Sequence, residues 1–126
     1  MYYTSNGSYP STGGIWQGAS CNNSSSNHFG TNMTISGPNG YVPNLAPTYI
    51  PMLPLDPRSG TIACGGDIYG GCYLYRSVGS DYKLLAFEVV ETTIPTQTNV
   101  LQDFWDPAGR STACTYALYT PGAASW

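Results

Sequence analysis

Few residues in this chain could do chemistry. His28 is the single histidine, and a hydrolytic reading makes it the general base for one of the many serines around it. It lies beside Phe29 in an Asn/Ser-rich run, where a solvated loop residue is the plainer reading. Two carboxylate pairs, Glu88 with Glu91 and Asp103 with Asp106, can be tried as the acid and base of a glycosidase. Glu88 and Glu91 fall on a strand-like segment, where residues three apart face opposite sides. Asp103 and Asp106 flank Phe104-Trp105 ahead of Pro107, a position that suits a turn cap better than an acid/base pair. Phosphate loops, dinucleotide fingerprints and zinc spacings are absent from the sequence. The chain reads as a protein without catalytic activity.

The remaining reactive residues are four cysteines, Cys21, Cys64, Cys72 and Cys114. No pair forms a CxxC, so disulfides and an oxidising compartment are expected, with three possible pairings. Aromatic rings supply a further chemistry. Trp16, Trp105 and Trp126 with several tyrosines could stack against sugars, whereas Tyr73, Tyr75, Tyr82 and Tyr116 are expected to pack across strands. Trp126 either docks on the sheet or meets a neighbouring subunit. Asn6, Asn22, Asn23 and Asn32 head N-glycosylation sequons, which Asn/Ser-rich loops also produce by chance.

Composition bounds what can position these residues. The 126 residues carry 4 Lys/Arg and 7 Asp/Glu, a net charge of -3. Charged residues make up 9%, against roughly a quarter in ordinary soluble proteins. Arg58, Arg76, Lys83 and Arg110 are scattered, which excludes a nucleic-acid surface. Hydrophobic residues reach 41%, with 11 Tyr, enough for the core of one domain spanning 1–126. No run of about 20 apolar residues and no export signal occurs. A disulfide-bearing exported chain without a signal is consistent only if an upstream segment is missing and Met1 is an artificial start.

Residues 1–40 are dense in turn formers, including Asn6-Gly7, Gly13-Gly14 and Gly37-Pro38-Asn39-Gly40, and read as a long loop. Met1 to Tyr3 fit the frayed end of a longer helix, and Ile15, Trp16 and Cys21 are the expected pins. In the connector 41–59, prolines at 43, 47, 51, 54 and 57 exclude a long helix or central strand. One helical turn from Pro43, followed by an extended segment, is expected. In 60–126, Cys72–Ser77 and Asp81–Val90 form a hairpin around Val78-Gly79-Ser80, and Cys114–Thr120 adds a third strand. Gly60–Cys64 is a further short edge. Such a sheet needs a covering layer, and no amphipathic stretch of 12 or more residues offers one.

These residues resemble a family. Tyr2-Tyr3-Thr4-Ser5-Asn6-Gly7-Ser8-Tyr9-Pro10 resembles the exit from the long N-terminal helix of bacterial type IV pilins and type II secretion pseudopilins. Leu53-Pro54-Leu55-Asp56-Pro57-Arg58 resembles the "LP.DP" element before their first strand. Tyr73-Leu74-Tyr75-Arg76 and Asp81-Tyr82-Lys83-Leu84 resemble their tyrosine-rich hairpin, and Tyr119 to Trp126 their tail. The resemblance implies an α+β pilin-like head: a loop-rich N-terminal half and a three- or four-stranded antiparallel sheet, with the native N-terminal helix largely missing. That helix would anchor the subunit in the inner membrane before assembly and then pack in an extracellular, cell-surface filament with copies of itself or related pilins. The expected role is structural, with a secreted or surface carbohydrate-binding adhesin module as the alternative. Within that model the expected disulfides are Cys64 with Cys72 and Cys21 with Cys114. Major pseudopilins also carry a calcium loop near the C-terminal end. Here Asp103 and Asp106 are the only carboxylates for it, so calcium would need backbone carbonyls and waters as well, and no other cofactor is implied. Four cysteines are unusual for a secretion pseudopilin and tilt the reading toward a surface pilus.

Overall fold

The structure, a computed structural model, describes residues 1–19, 31–57, 71–87, 89, 106–108 and 115–126. Its centre is the hairpin of β3 (Cys72–Ser77) and β4 (Tyr82–Phe87). The register runs from Cys72 opposite Phe87 to Ser77 opposite Tyr82. Both strands are rich in aromatic and aliphatic residues that suit a pleated surface buried on both sides. Gly79 adopts a φ of 93° in the connecting turn, a conformation open to glycine at no steric cost. The Ser77 hydroxyl locks that turn, donating to Asp81 C=O at 2.8 Å and accepting the Gly79 N–H at 2.9 Å.

β3 begins and ends at the expected residues. β4 begins at Tyr82 instead of Asp81, because the Asp81 carbonyl serves the turn, accepting from Val78 N–H at 3.1 Å. Strand β5 (Tyr116–Tyr119) pairs antiparallel with β4, shorter than the expected Cys114–Thr120. Thr120 leaves the strand to bond Asp81 and Tyr82 with its side chain, and a 3-10 turn follows over Pro121–Ala123. The expected edge at Gly60–Cys64 lies outside the described residues.

The N-terminal stretch departs from the long-loop expectation. It contributes β1 (Gln17–Gly18), antiparallel to β3, and β2 (Thr31–Asn32), parallel to β1. The sheet order is β2-β1-β3-β4-β5, so four strands are antiparallel to their neighbours and a two-residue parallel strand flanks them. Residues of low strand propensity are recruited here because β3 would otherwise present an unpaired edge. The chain before β1 is tied to the hairpin by Tyr9 N–H to Gly79 C=O at 2.8 Å and Thr12 N–H to Ser77 C=O at 3.1 Å. Of the expected pins, Trp16 packs against the core, Ile15 is exposed and Cys21 lies outside the described residues.

Cross-strand pairing sorts the side chains into two faces. Tyr73, Tyr75, Tyr82 and Leu84 share the tyrosine face, packed in a cluster with Ala19, Tyr41, Val42, Ala46 and Leu53. Cys72, Leu74, Leu85, Phe87 and Ala117 share the other, with Lys83 in line. Leu74, Leu85 and Lys83 are all fully buried. A sheet without a covering layer of its own is therefore not what the chain forms. The tyrosine face is roofed by the proline-rich segment, in which residues 43–49 form hydrogen-bonded turns instead of the expected helical turn from Pro43, because Asn44 takes a left-handed φ of 59°; Tyr49 N–H donates to Leu45 C=O at 2.9 Å. Hydrophobic periodicity misses such a roof because irregular backbone buries side chains at irregular spacing.

Candidate functional site

The short helix α1 (Tyr2–Asn6) sits beside the tyrosine face. It ends at Gly7, whose φ of 67° is the left-handed stop typical of a helix C-terminus. From there a run of rings crosses to the sheet: Tyr3 to Tyr9 at 4.7 Å, Tyr9 to Tyr82 at 4.5 Å and Tyr82 to Tyr75 at 6.3 Å between centroids. Tyr2 meets Tyr49 at 5.2 Å. Asn6, exposed on the last turn, donates to Tyr2 C=O at 2.9 Å and to Tyr49 Oη at 3.0 Å.

The two most deeply buried tyrosines of this face spend their hydroxyls inside the molecule. Tyr75 Oη donates to Pro10 C=O and Tyr41 Oη to Pro54 C=O, each at 2.9 Å. Burial pushes the Tyr75 phenol up to about 12, with neighbouring tyrosines adding to the effect and Ser77 opposing it. Burial likewise raises Tyr41, with Tyr73 adding, and raises Tyr82, with Tyr9 adding. Expected cross-strand packing is seen for Tyr75 and Tyr82, which sit diagonally across the hairpin, and Tyr73 packs on the same cluster. Tyr116 is half-buried opposite Ala86 on β5.

The opposite face holds a different centre. Lys83 Nζ meets Asp106 Oδ1 at 2.5 Å, with both side chains fully excluded from solvent. The ammonium also donates to the main-chain oxygens of Ala124 at 2.8 Å and Trp126 at 3.1 Å. Asp106 Oδ1 accepts the Ala108 N–H at 3.1 Å, the turn cap expected ahead of Pro107. Nearby, the Arg76 guanidinium lies 4.7 Å from the Trp126 ring and 6.0 Å from that of Trp16. Trp126 thus docks on the sheet.

The sequence-derived candidates are only partly placed. His28, Glu88, Glu91, Asp103 and Trp105 lie outside the described residues, as do Asn22 and Asn23. Cys72 is disulfide-bonded, while Cys21, Cys64 and Cys114 lie outside the described residues and both expected pairings with them. Of the two calcium candidates only Asp106 is described, and a cation there would have to displace the Lys83 ammonium. Among the described residues, no three or more His, Cys, Asp or Glu side chains converge as metal ligands.

Sequence reasoning missed the role of Lys83, although a signal was present. It shares period-two spacing with Leu85 and Phe87, which places one of the chain's four cations on an apolar face. A lysine there needs a partner, because an isolated buried charge is too costly. Comparison with known proteins adds no candidate: no family model, curated protein or solved structure matches the chain. No described helix is long and apolar enough to cross a membrane.

Proposed function

We propose that this chain is the globular head of a filament subunit of the type IV pilin and pseudopilin kind, exported and exposed at the cell surface. One observation carries the reading. α1 stops at Gly7 and is held on the tyrosine face by Tyr2 against Tyr49 and by the Tyr3, Tyr9, Tyr82 run. A longer helix arriving from the N-terminal side would enter through that contact and leave the head attached by its sheet. Residues 41–53 already roof the tyrosine face, so the sheet does not need such a helix for cover. The support is instead positional: helix exit, proline-rich connector and tyrosine hairpin meet on one face. Leu118 on β5 is half exposed and Leu84 beside it only partly buried, which leaves apolar surface for a neighbouring subunit.

The test uses the native cell. An antibody raised against this head should label the sheared extracellular filament fraction and lose that signal when the gene is deleted. A polypeptide recovered only as a soluble secreted monomer would overturn the proposal.

Exposed Tyr3 beside partly buried Tyr2, Tyr9 and Tyr49 favours the second reading, a carbohydrate-binding module, since such rings offer flat apolar faces. A saturable fluorescence change on titration with a glycan panel, abolished by Tyr3→Ala, would select it.

A further inference from the structure

Arg76 carries a charge that the fold holds but does not neutralise. It stands on β3 opposite Lys83, on the lysine face, and makes no hydrogen bond or ion pair among the described residues. Its Nε is sealed from solvent without a partner. We propose that the Arg76 guanidinium, held between Trp16 and Trp126, is a binding site for the carboxylate of an acidic sugar of the uronate type.

The strand register builds one wall of the site. β1 pairs Gln17 with Tyr75 and Gly18 with Leu74, so one further step of the same antiparallel register brings Trp16 beside Arg76. The Trp16 ring lies 6.0 Å from the guanidinium carbon and the Trp126 ring 4.7 Å from it. Ring faces attract a cation through their quadrupole, which holds the side chain in place. They carry no net charge to match it. A guanidinium drawn half out of water with its charge unmatched is costly, and groups of this kind are ordinarily paired.

An anion supplies the missing charge, and the fork selects its type. The guanidinium is planar and presents its N–H bonds in a fixed geometry. With Nε sealed, an incoming group meets the two terminal nitrogens, whose parallel N–H bonds match the two oxygens of a carboxylate. The half-buried indoles set apolar surface next to that fork. The C–H face of a sugar ring complements such surface while its hydroxyls stay in water. A uronate joins both requirements, because its carboxylate is attached directly to the ring. The site lies on the face away from α1 and rests on neither reading of function given above.

Glucuronate and glucose, which differ only in carrying a carboxylate or a hydroxymethyl group, test the proposal by calorimetry and tryptophan emission on the intact protein at low ionic strength. Glucuronate should bind saturably, and glucose at the same concentrations should not. Acetate should bind more weakly than glucuronate. Arg76→Gln should weaken glucuronate on the order of tenfold or more, the loss expected for charge-assisted hydrogen bonds. Arg76→Lys keeps the charge without the fork and should fall between. Absence of saturable glucuronate binding overturns the proposal. Equal binding of glucose or of acetate overturns it without a variant, and so does undiminished binding by Arg76→Gln.

Discussion

The two faces of one sheet solve the problem of cover by opposite chemistry. The tyrosine face is closed by rings and by irregular, proline-rich backbone, with phenol hydroxyls turned to carbonyls such as those of Pro10 and Pro54. The lysine face is closed around the Lys83–Asp106 ion pair among Leu74, Leu85, Phe87 and Ala117. Adaptable aromatic contacts tolerate change one at a time. A buried charge does not, because removing one partner strands the other.

That contrast breaks most visibly at Lys83. Lys83→Ala leaves the Asp106 carboxylate buried without its cation, and a loss of about 3–5 kcal/mol is expected in urea unfolding. Asp106→Ala should cost a similar amount, and the double variant should cost less than the sum of the two. Additive losses would mean the two groups do not act as a unit.

Leu85→Ala sharpens the comparison by testing the same face without charge. Leu85 is fully buried between Leu74 and Ala117, and its truncation should cost about 2–5 kcal/mol by the same measurement. On the roof, Leu53→Ala removes an equally buried side chain held by irregular backbone that can collapse more readily. It should therefore fall at the lower end of that range, and a greater loss than at Leu85 would reverse the ranking of the two covers.

Alkaline pH should select the tyrosine face. The Tyr75 phenol lies near 10 when unfolded and is pushed up to about 12 by burial when folded. Its proton is therefore kept longer in the folded state, so its contribution is present in full below pH 10 and declines as pH rises toward 12. Tyr75→Phe should flatten this decline while losing about 1 kcal/mol at neutral pH with the bond to Pro10. An unchanged slope between pH 10 and 12 would assign the alkaline sensitivity to other groups.

The smallest effect belongs to Arg76. Its half-buried guanidinium lies over Trp126 at 4.7 Å, so Arg76→Gln should cost about 0.5–1 kcal/mol. It should also shift tryptophan emission. A silent spectrum would show that the contact is not kept in solution.

Legibility in the sequence followed the strength of local pattern. β3 was readable to the residue because Cys72, Leu74 and Arg76 alternate with Tyr73, Tyr75 and Ser77 between Gly71 and Gly79. The turn cap at Asp106 followed from Pro107. By contrast, Gln17 and Gly18 carry no strand propensity and join only because β3 offers an edge. The partners of Lys83 were also hidden, since residues 83, 106, 124 and 126 are brought together by tertiary packing alone.

Lys83 draws contacts from well downstream on the chain, at Asp106 and at Ala124 and Trp126. During synthesis the hairpin emerges well before those oxygens do. Its charged side must then wait, hydrated and open, until the tail arrives. Without Ala124 and Trp126 the same charge would lose two of the oxygens that make its burial affordable.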